Sequence, residues 1–329
     1  MNRRELIKGA TLLGFAGMIP ASSIKAQEKK NISRNKQGFR RFQLNELELT
    51  IVTDGHILLS PVQPMFAPHA DPEQVKQLLR DSFRPTDGID LGINVLVIRK
   101  KDKVILLDAG AGATAGEQAG WLPETLKDAG IQPSQVTDFV ISHAHADHIG
   151  GLVDKNGKLL FPNATVHLAK PEQAFWLSAH PDFSKSGLGD EKVVARITGK
   201  IKELLVQIKD RIRLYNPGDT LLDCIRLQLA EGHTPGHTIA TVFSGKEEVV
   251  YVADLVHSDV LLLPHPEWGF FGDTNLGQAA ATRRSVLEQL AQERKRVLVY
   301  HFPWPGIGHV RKKETGFEWV PDVFPTPNS

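Results

Sequence analysis

The chain of 329 residues contains a single cysteine, Cys224. No intrachain disulfide can form, and a structural zinc site built from thiolates is excluded as well. An excess of one charge is also missing, since 39 Lys and Arg stand against 38 Asp and Glu. With no run of like charge there is no basic field to attract nucleic acid, which is not expected as a partner. Internal repeats and low-complexity tracts are absent, which sets aside solenoids and propellers. Long apolar runs are lacking too. The apolar stretch near the N-terminus, residues 10–19, falls short of the roughly 20 residues that a membrane-spanning helix needs.

That stretch has another reading. Residues 1–26, "MNRRELIKGATLLGFAGMIPASSIKA", combine a basic start, a short apolar middle and small residues near the end, the layout of a cleaved export signal. Arg3 and Arg4 resemble the paired arginines recognised by the twin-arginine export machinery, which implies a periplasmic or secreted protein. Residues 27–38 form a polar linker without periodicity, and the folded domain is expected over 39–329.

Within that domain, 41% hydrophobic residues supply ample apolar mass for a buried core. Alternation in "FQLNELELTIV" predicts two strands about a turn at Asn45 and Glu46, and "NVLVIRKKDKVILLDAG" predicts a hairpin turning at Lys101 to Lys103. Asp71, Pro72 and Glu73 open a helix with Val75, Leu78 and Leu79 on one face, and another helix near 122–129 closes at Gly130. Further on, the strands "TDFVIS", "TVHLA", "RLQLA", "ATVFS", "EVVYVA" and "RVLVY" are interspersed with helices around "PEQAFWLS", over 190–209 and over 276–294. Hairpins mixed with crossover helices predict an α/β chain. Val194, Ile197, Ile201, Leu204, Leu205 and Ile208 form one stripe on the 190–209 helix, read as core-facing, with a homodimer seam as the alternative.

The densest chemistry is "FVISHAHADHIGG" at 139–151. In an extended segment alternate side chains share a face, so a tight loop after the strand can direct His143 and His145 to one point and Asp147 with His148 to a neighbouring one. His233 follows "RLQLAEG", Asp254 ends "VVYVA" and His301 ends "RVLVY". Four apolar runs thus each deliver metal-ligand side chains at their carboxyl ends, a pattern of catalytic metal centres rather than of scattered core histidines. His237, together with Asp54 and His56 in "VTDGH", is expected to back the ligands with hydrogen bonds.

These residues resemble the metallo-β-lactamase superfamily, through "HAHADH" at 143–148, "GHTPGH" at 232–237, Asp254 and His301. Within it, "AFWLS" at 174–178 and "HFPWPGIGH" at 301–309 are similar to methyl parathion hydrolase and related exported lactonases and esterases. The resemblance implies an αββα sandwich, two mixed β-sheets flanked by helices, holding two divalent metal ions. Zinc is the first expectation, with iron, manganese and cobalt as alternatives. It also implies that His143, His145 and His233 hold one ion, that Asp147, His148 and His301 hold the other, and that Asp254 bridges them.

Two neighbouring cations lower the pKa of a shared water towards about 7, so a bridging hydroxide is the expected nucleophile. Asp147 and Asp254 are the expected catalytic residues, Asp147 doubling as ligand and proton shuttle. Trp176, His257 and Phe270, with Phe175, Phe271 and Trp268 nearby, are expected to line a pocket for a small hydrophobic ester, lactone or phosphotriester. The loop "AGATAGEQAG" lacks the bulky aromatic that methyl parathion hydrolases place there, and His257 adds a polar group; both favour lactones or aryl esters. The alternatives are organophosphate hydrolysis as the main activity, a mononuclear iron persulfide dioxygenase, and a metal-stabilised binding protein without turnover. Changing Arg3 and Arg4 to Lys is expected to abolish delivery to the periplasm, measured by cell fractionation; normal delivery of that variant contradicts the export reading.

Overall fold

The structure is a computed structural model that describes residues 38–324. The expected export signal at 1–26, and the linker at 27–38 apart from its last residue, lie outside the described residues. Two seven-stranded sheets make up the fold. The first comprises β1 (Phe39–Leu44), β2 (Leu47–Leu59), β3 (Ile89–Lys100), β4 (Lys103–Leu107), β5 (Asp138–Val140), β6 (Thr165–Ala169) and β7 (Ile212–Tyr215) in chain order. Its strands are antiparallel from β1 to β4 and parallel from β4 to β7.

The second sheet holds β8 (Thr220–Leu221), β9 (Ile225–Leu229), β10 (Thr238–Ser244), β11 (Glu247–Tyr251), β12 (Arg296–Leu298), β13 (Ile307–Lys312) and β14 (Phe317–Pro321). Only β11 and β12 pair in parallel, with a helix in the crossover. The helices are α1 (Val62–Met65), α2 (Pro72–Asp81), α3 (Leu122–Asp128), α4 (Ala146–Ile149), α5 (Lys170–Leu177), α6 (Glu191–Gln207) and α7 (Leu276–Gln292). Helix α3 lies against β1 and β2, α5 against β6 and α6, and α7 against β13. This is the arrangement of two mixed sheets flanked by helices that the resemblance implied.

Local chemistry accounts for the elements. Val95, Leu96, Val97 and Ile98 in β3 are all fully buried, as expected of a strand covered on both faces. The turns at Asn45 and Lys101 fall where alternation placed them, both residues with positive φ. Helices α2 and α6 start at Asp71 and Asp190, whose side chains accept from backbone N–H groups of the first turn. The stripe on α6 faces the core: Ile197, Ile201, Leu204 and Leu205 are buried within the chain, as is Ile208 just beyond the helix.

One element runs further than its alternation suggests. Strand β2 continues past Val52 to Leu59, over a register shift between Thr53 and Gly55, where Gly55 has a φ of +107°. The irregularity turns Asp54 into the fold, where it is fully buried. Its Oδ2 accepts from the N–H groups of Ala111 (2.8 Å) and Gly120 (3.2 Å), and its Oδ1 from that of Leu122 (2.7 Å). Burial pushes the carboxyl up to about 6, against the pull of these backbone N–H groups. Gly110, at a φ of +75°, passes so close that a Cβ would lie 2.5 Å from the Asp54 carboxylate.

Asp54 therefore fastens the loop after β4 and does not back a metal ligand, contrary to expectation. His56 departs in the same way. It pairs with Asp90 at 2.5 Å beside Trp121, with its side chain 34% exposed. Asp54→Ala leaves three N–H groups without their acceptor, at about 1–3 kcal/mol for each one that stays dry. A loss of about 3 kcal/mol in urea denaturation is expected, and an unchanged midpoint contradicts the anchoring role.

Candidate metal centre

Several segments deliver the expected donors to one end of the sandwich. Strand β5 leads into His143 and His145, and the single turn α4 carries Asp147 and His148. His233 follows β9, Asp254 follows β11 and His301 follows β12. All seven are brought together: His143, His145, His233 and Asp254 form one group, and Asp147, His148 and His301 a second. A third grouping within the same reach joins Asp254, His257 and His301.

Hydrogen bonds on the far side of each ring decide which nitrogen faces the centre. The Nδ1–H of His233 donates to Asp273 Oδ1 (2.9 Å), that of His148 to Asp108 Oδ2 (2.8 Å), and that of His301 to the Gly92 carbonyl (2.9 Å). Ser142 donates its hydroxyl to Asp108 Oδ2 (2.7 Å), so it accepts from His143 Nδ1–H (3.0 Å). Each of these four rings therefore turns its Nε2 inward. His145 turns its Nδ1 inward, 3.0 Å from His143 Nε2 and 2.9 Å from His233 Nε2, and the latter two lie 3.2 Å apart. Three lone pairs at these separations repel one another unless positive charge lies among them.

The second group shows the same need. His301 Nε2 lies 3.3 Å from Asp147 Oδ2 and 3.4 Å from Asp254 Oδ2. His148 Nε2 lies 3.1 Å from Asp254 Oδ1, yet both atoms are buried without a hydrogen-bond partner. Folded proteins rarely leave buried polar atoms orphaned, and a divalent cation satisfies both at once. The donors are all imidazole and carboxylate, a set that fits zinc, iron, cobalt or manganese, while Cys224 sits apart between β8 and β9.

The electrostatics agree. Burial, with neighbouring imidazoles, holds His143 well below its ordinary range and His145 at about 3. Burial acts likewise on His233 and His301, but Asp254, helped by Asp273 at one and Asp147 at the other, outweighs it and pushes both up to about 9. Burial would raise Asp254 and Asp147, yet the surrounding imidazoles hold both well below the carboxylate range. The carboxylates thus favour positive charge at His148, His233 and His301, while burial disfavours it on His143 and His145.

His237 lies behind Asp254. Its Nδ1–H donates to the Ala230 carbonyl (2.9 Å) and its Nε2 accepts from the Asp254 N–H (3.2 Å). Supports that sequence reasoning missed are Asp108, Asp273, Glu172 and Tyr300, whose hydroxyl donates to the Asp147 carbonyl (2.7 Å). The one sequence signal for Asp108 is its place at the end of the apolar strand "VILLDAG"; the others stand in no motif.

A cavity of about 100 Å³ opens onto the donors. Asp147, Asp254, His257 and His301 line one side, and Ile57, Leu91, Ile197, Ile201, Phe270 and Phe271 much of the rest. No Lys or Arg is among its lining residues. His257 donates Nε2–H to Asp254 Oδ2 (3.0 Å), and its ring stacks on Phe270 at 3.8 Å. Trp176, expected in the lining, is instead fully buried behind His145, because α5 turns that face into the core and Glu172 Oε1 accepts its Nε1–H at 2.6 Å. Phe175 packs beside Trp176, and Trp268 stacks on His265 at 4.0 Å, neither of them in the lining.

Comparison with known proteins matches the family described as the metallo-beta-lactamase superfamily over residues 88–301. Among solved structures, the dizinc quorum-quenching lactonase AidC, in complex with the product N-hexanoyl-L-homoserine, is 44% identical and superposes with a TM-score of 0.85, covering 88% of this chain and 99% of that one. The hydrolase AbOPH of the beta-lactamase superfamily is 28% identical with a TM-score of 0.80, at the same coverage of 88% and 99%. The RNase aCSPSF2 of Saccharolobus solfataricus is 25% identical over 192 residues, 57% of this chain and 36% of that protein, so the chain spans about a third of that relative. With more than half of its length matched to the family and both sheets and the donor cluster in place, the chain belongs to the metallo-β-lactamase superfamily as a metal-dependent hydrolase.

Proposed function

We propose that the protein is a dizinc lactonase acting on small neutral lactones, acyl-homoserine lactones among them, and on aryl esters. One observation carries this reading: two donor groups that meet at Asp254 open into an apolar cavity with no cationic side chain in its lining. The likeness to AidC supports the lactone class. In this reading His143, His145 and His233 hold one ion, Asp147, His148 and His301 the other, and Asp254 stands between them. Two bound cations supply an activated water and a place for the negative charge that builds on the acyl oxygen.

The chain's own residues do the rest. Asp254 turns Oδ1 towards His148 and Oδ2 towards His233 and His301, so one carboxylate holds the two groups in register. Asp147 lines the cavity with its side chain 26% exposed, the carboxylate best placed to take a proton during attack and return it to the leaving alkoxide. Ile197, Ile201, Phe270 and Phe271 take up the acyl group and exclude water.

Charge selects among the alternatives. An RNA backbone would find no Lys or Arg in the lining to neutralise its phosphates, which counts against a ribonuclease activity. Neutral phosphotriesters pass that filter and form the second reading. Seven donors in two groups exceed what a mononuclear iron dioxygenase requires. For the part of the chain outside the described residues we propose delivery to the periplasm, supported by Arg3, Arg4 and the short apolar run after them.

Stripping the metal with a chelator is expected to lower lactone turnover by about 100-fold or more, some 3 kcal/mol of barrier, and added zinc to restore it. A panel of an acyl-homoserine lactone, dihydrocoumarin, phenyl acetate and methyl parathion is expected to rank the lactones first; methyl parathion in first place contradicts the lactone reading. Asp147→Asn is expected to reduce zinc content, turnover or both, and a variant with both intact contradicts the role given to Asp147.

A further inference from the structure

We propose that Glu172, which has no place in the donor set, is a positioning residue that fixes the triangle of His143, His145 and His233. It does so by tying the ligand loop of one sheet to that of the other, and the inference rests on the metal-binding reading above.

Glu172 stands on α5 with no exposed surface. Its Oε1 accepts from the N–H of Ala144 (2.8 Å), the residue between His143 and His145, and from Trp176 Nε1–H (2.6 Å). Its Oε2 accepts from the hydroxyl of Thr234 (2.6 Å), next to His233, and from the N–H of Gly236 (3.0 Å). One carboxylate thus joins the loop after β5 to the loop after β9, and Trp176 braces it from its own helix. A backbone bond from Thr238 N–H to the Ser142 carbonyl (3.0 Å) runs alongside. The approach is close: a Cβ on Gly236 would lie 2.3 Å from the Glu172 nitrogen, so only glycine lets the second loop come this near.

His143 and His145 come from the first sheet and His233 from the second, so the distances of 3.2 Å and 2.9 Å from His233 to the other two depend on how the two loops are held. Glutamine at 172 keeps the shape but replaces one oxygen with an NH2 group that cannot accept, so it leaves unpaired either the N–H groups of Ala144 and Trp176 or that of Gly236, where only the Thr234 hydroxyl can turn to accept from it. Trp176 acts through Glu172 in this account, and not on the substrate.

The test withdraws zinc from zinc-loaded wild type, Glu172→Gln and Trp176→Phe with a chromophoric chelator of known affinity. In Glu172→Gln one zinc is expected to weaken by about 10- to 100-fold while the other is unchanged, the usual size of an effect from a residue that orients ligands. Trp176→Phe is expected to weaken the same zinc by less and to leave the KM for the lactone unchanged. Unaltered zinc affinities in both variants overturn the proposal, and so does equal weakening of both zincs, the mark of a loosened fold. Should Glu172→Gln fail to fold, Trp176→Phe decides alone: an unchanged affinity overturns the positioning role. Wild type that binds a single zinc contradicts the dinuclear reading, whereas the role of Glu172 is then judged by whether its variant weakens that one ion.

Discussion

Repulsion among inward-facing lone pairs and carboxylates is the constraint to which the rest of this structure answers. Five imidazole nitrogens and two carboxylates meet within a few ångströms, and the hydrogen bonds behind the rings turn the Nε2 of four of those imidazoles to the centre. Orphaned buried atoms cost about 1–3 kcal/mol each. His148 Nε2 and Asp254 Oδ1 together would remove a sizeable part of the roughly 5–15 kcal/mol that stabilises a typical domain. A cation bound there returns that loss as folding free energy, so site and fold stabilise one another.

The supports behind the donors follow the same logic. Asp108 accepts from His148, from the hydroxyl of Tyr251 and from Ser142, which in turn accepts from His143, so one carboxylate sets two imidazoles. Asp273 sets His233 and is itself paired with Arg283 at 3.3 Å. That arginine is buried in α7 and spends its other N–H groups on the carbonyls of Leu255, Pro266 and Trp268. Hydrogen bonds of this kind fix the orientation of each ring, which a bare cluster of histidines on loops would not do. The apolar wall from α6, Ile197 and Ile201, lies beside it and lines the cavity onto which the donors open.

The donors were legible in sequence because strand ends on one edge of a sandwich gather residues that stand in compact motifs, "HAHADH" and "GHTPGH". The hairpins were legible because alternation and turn residues are local. What stayed hidden depends on distance along the chain. Asp273 meets His233 across 40 residues and Glu172 meets Thr234 across 62, with no periodicity to announce either. Strand β2 ran on past its expected end because a bulge at Gly55 broke the alternation that marks a strand, and the same bulge gave Asp54 its own task. Trp176 lies beside His145 in space, yet only the direction of its helix shows that its N–H meets Glu172 and that its ring stays out of the cavity.

The central claim is that cations hold this cluster together, and anomalous diffraction at the zinc edge from crystals of the protein tests it most directly. The account predicts two peaks per chain, one touching His143, His145 and His233 and one touching Asp147, His148 and His301, with Asp254 between them. A map with a single peak, or with none among these residues, contradicts it.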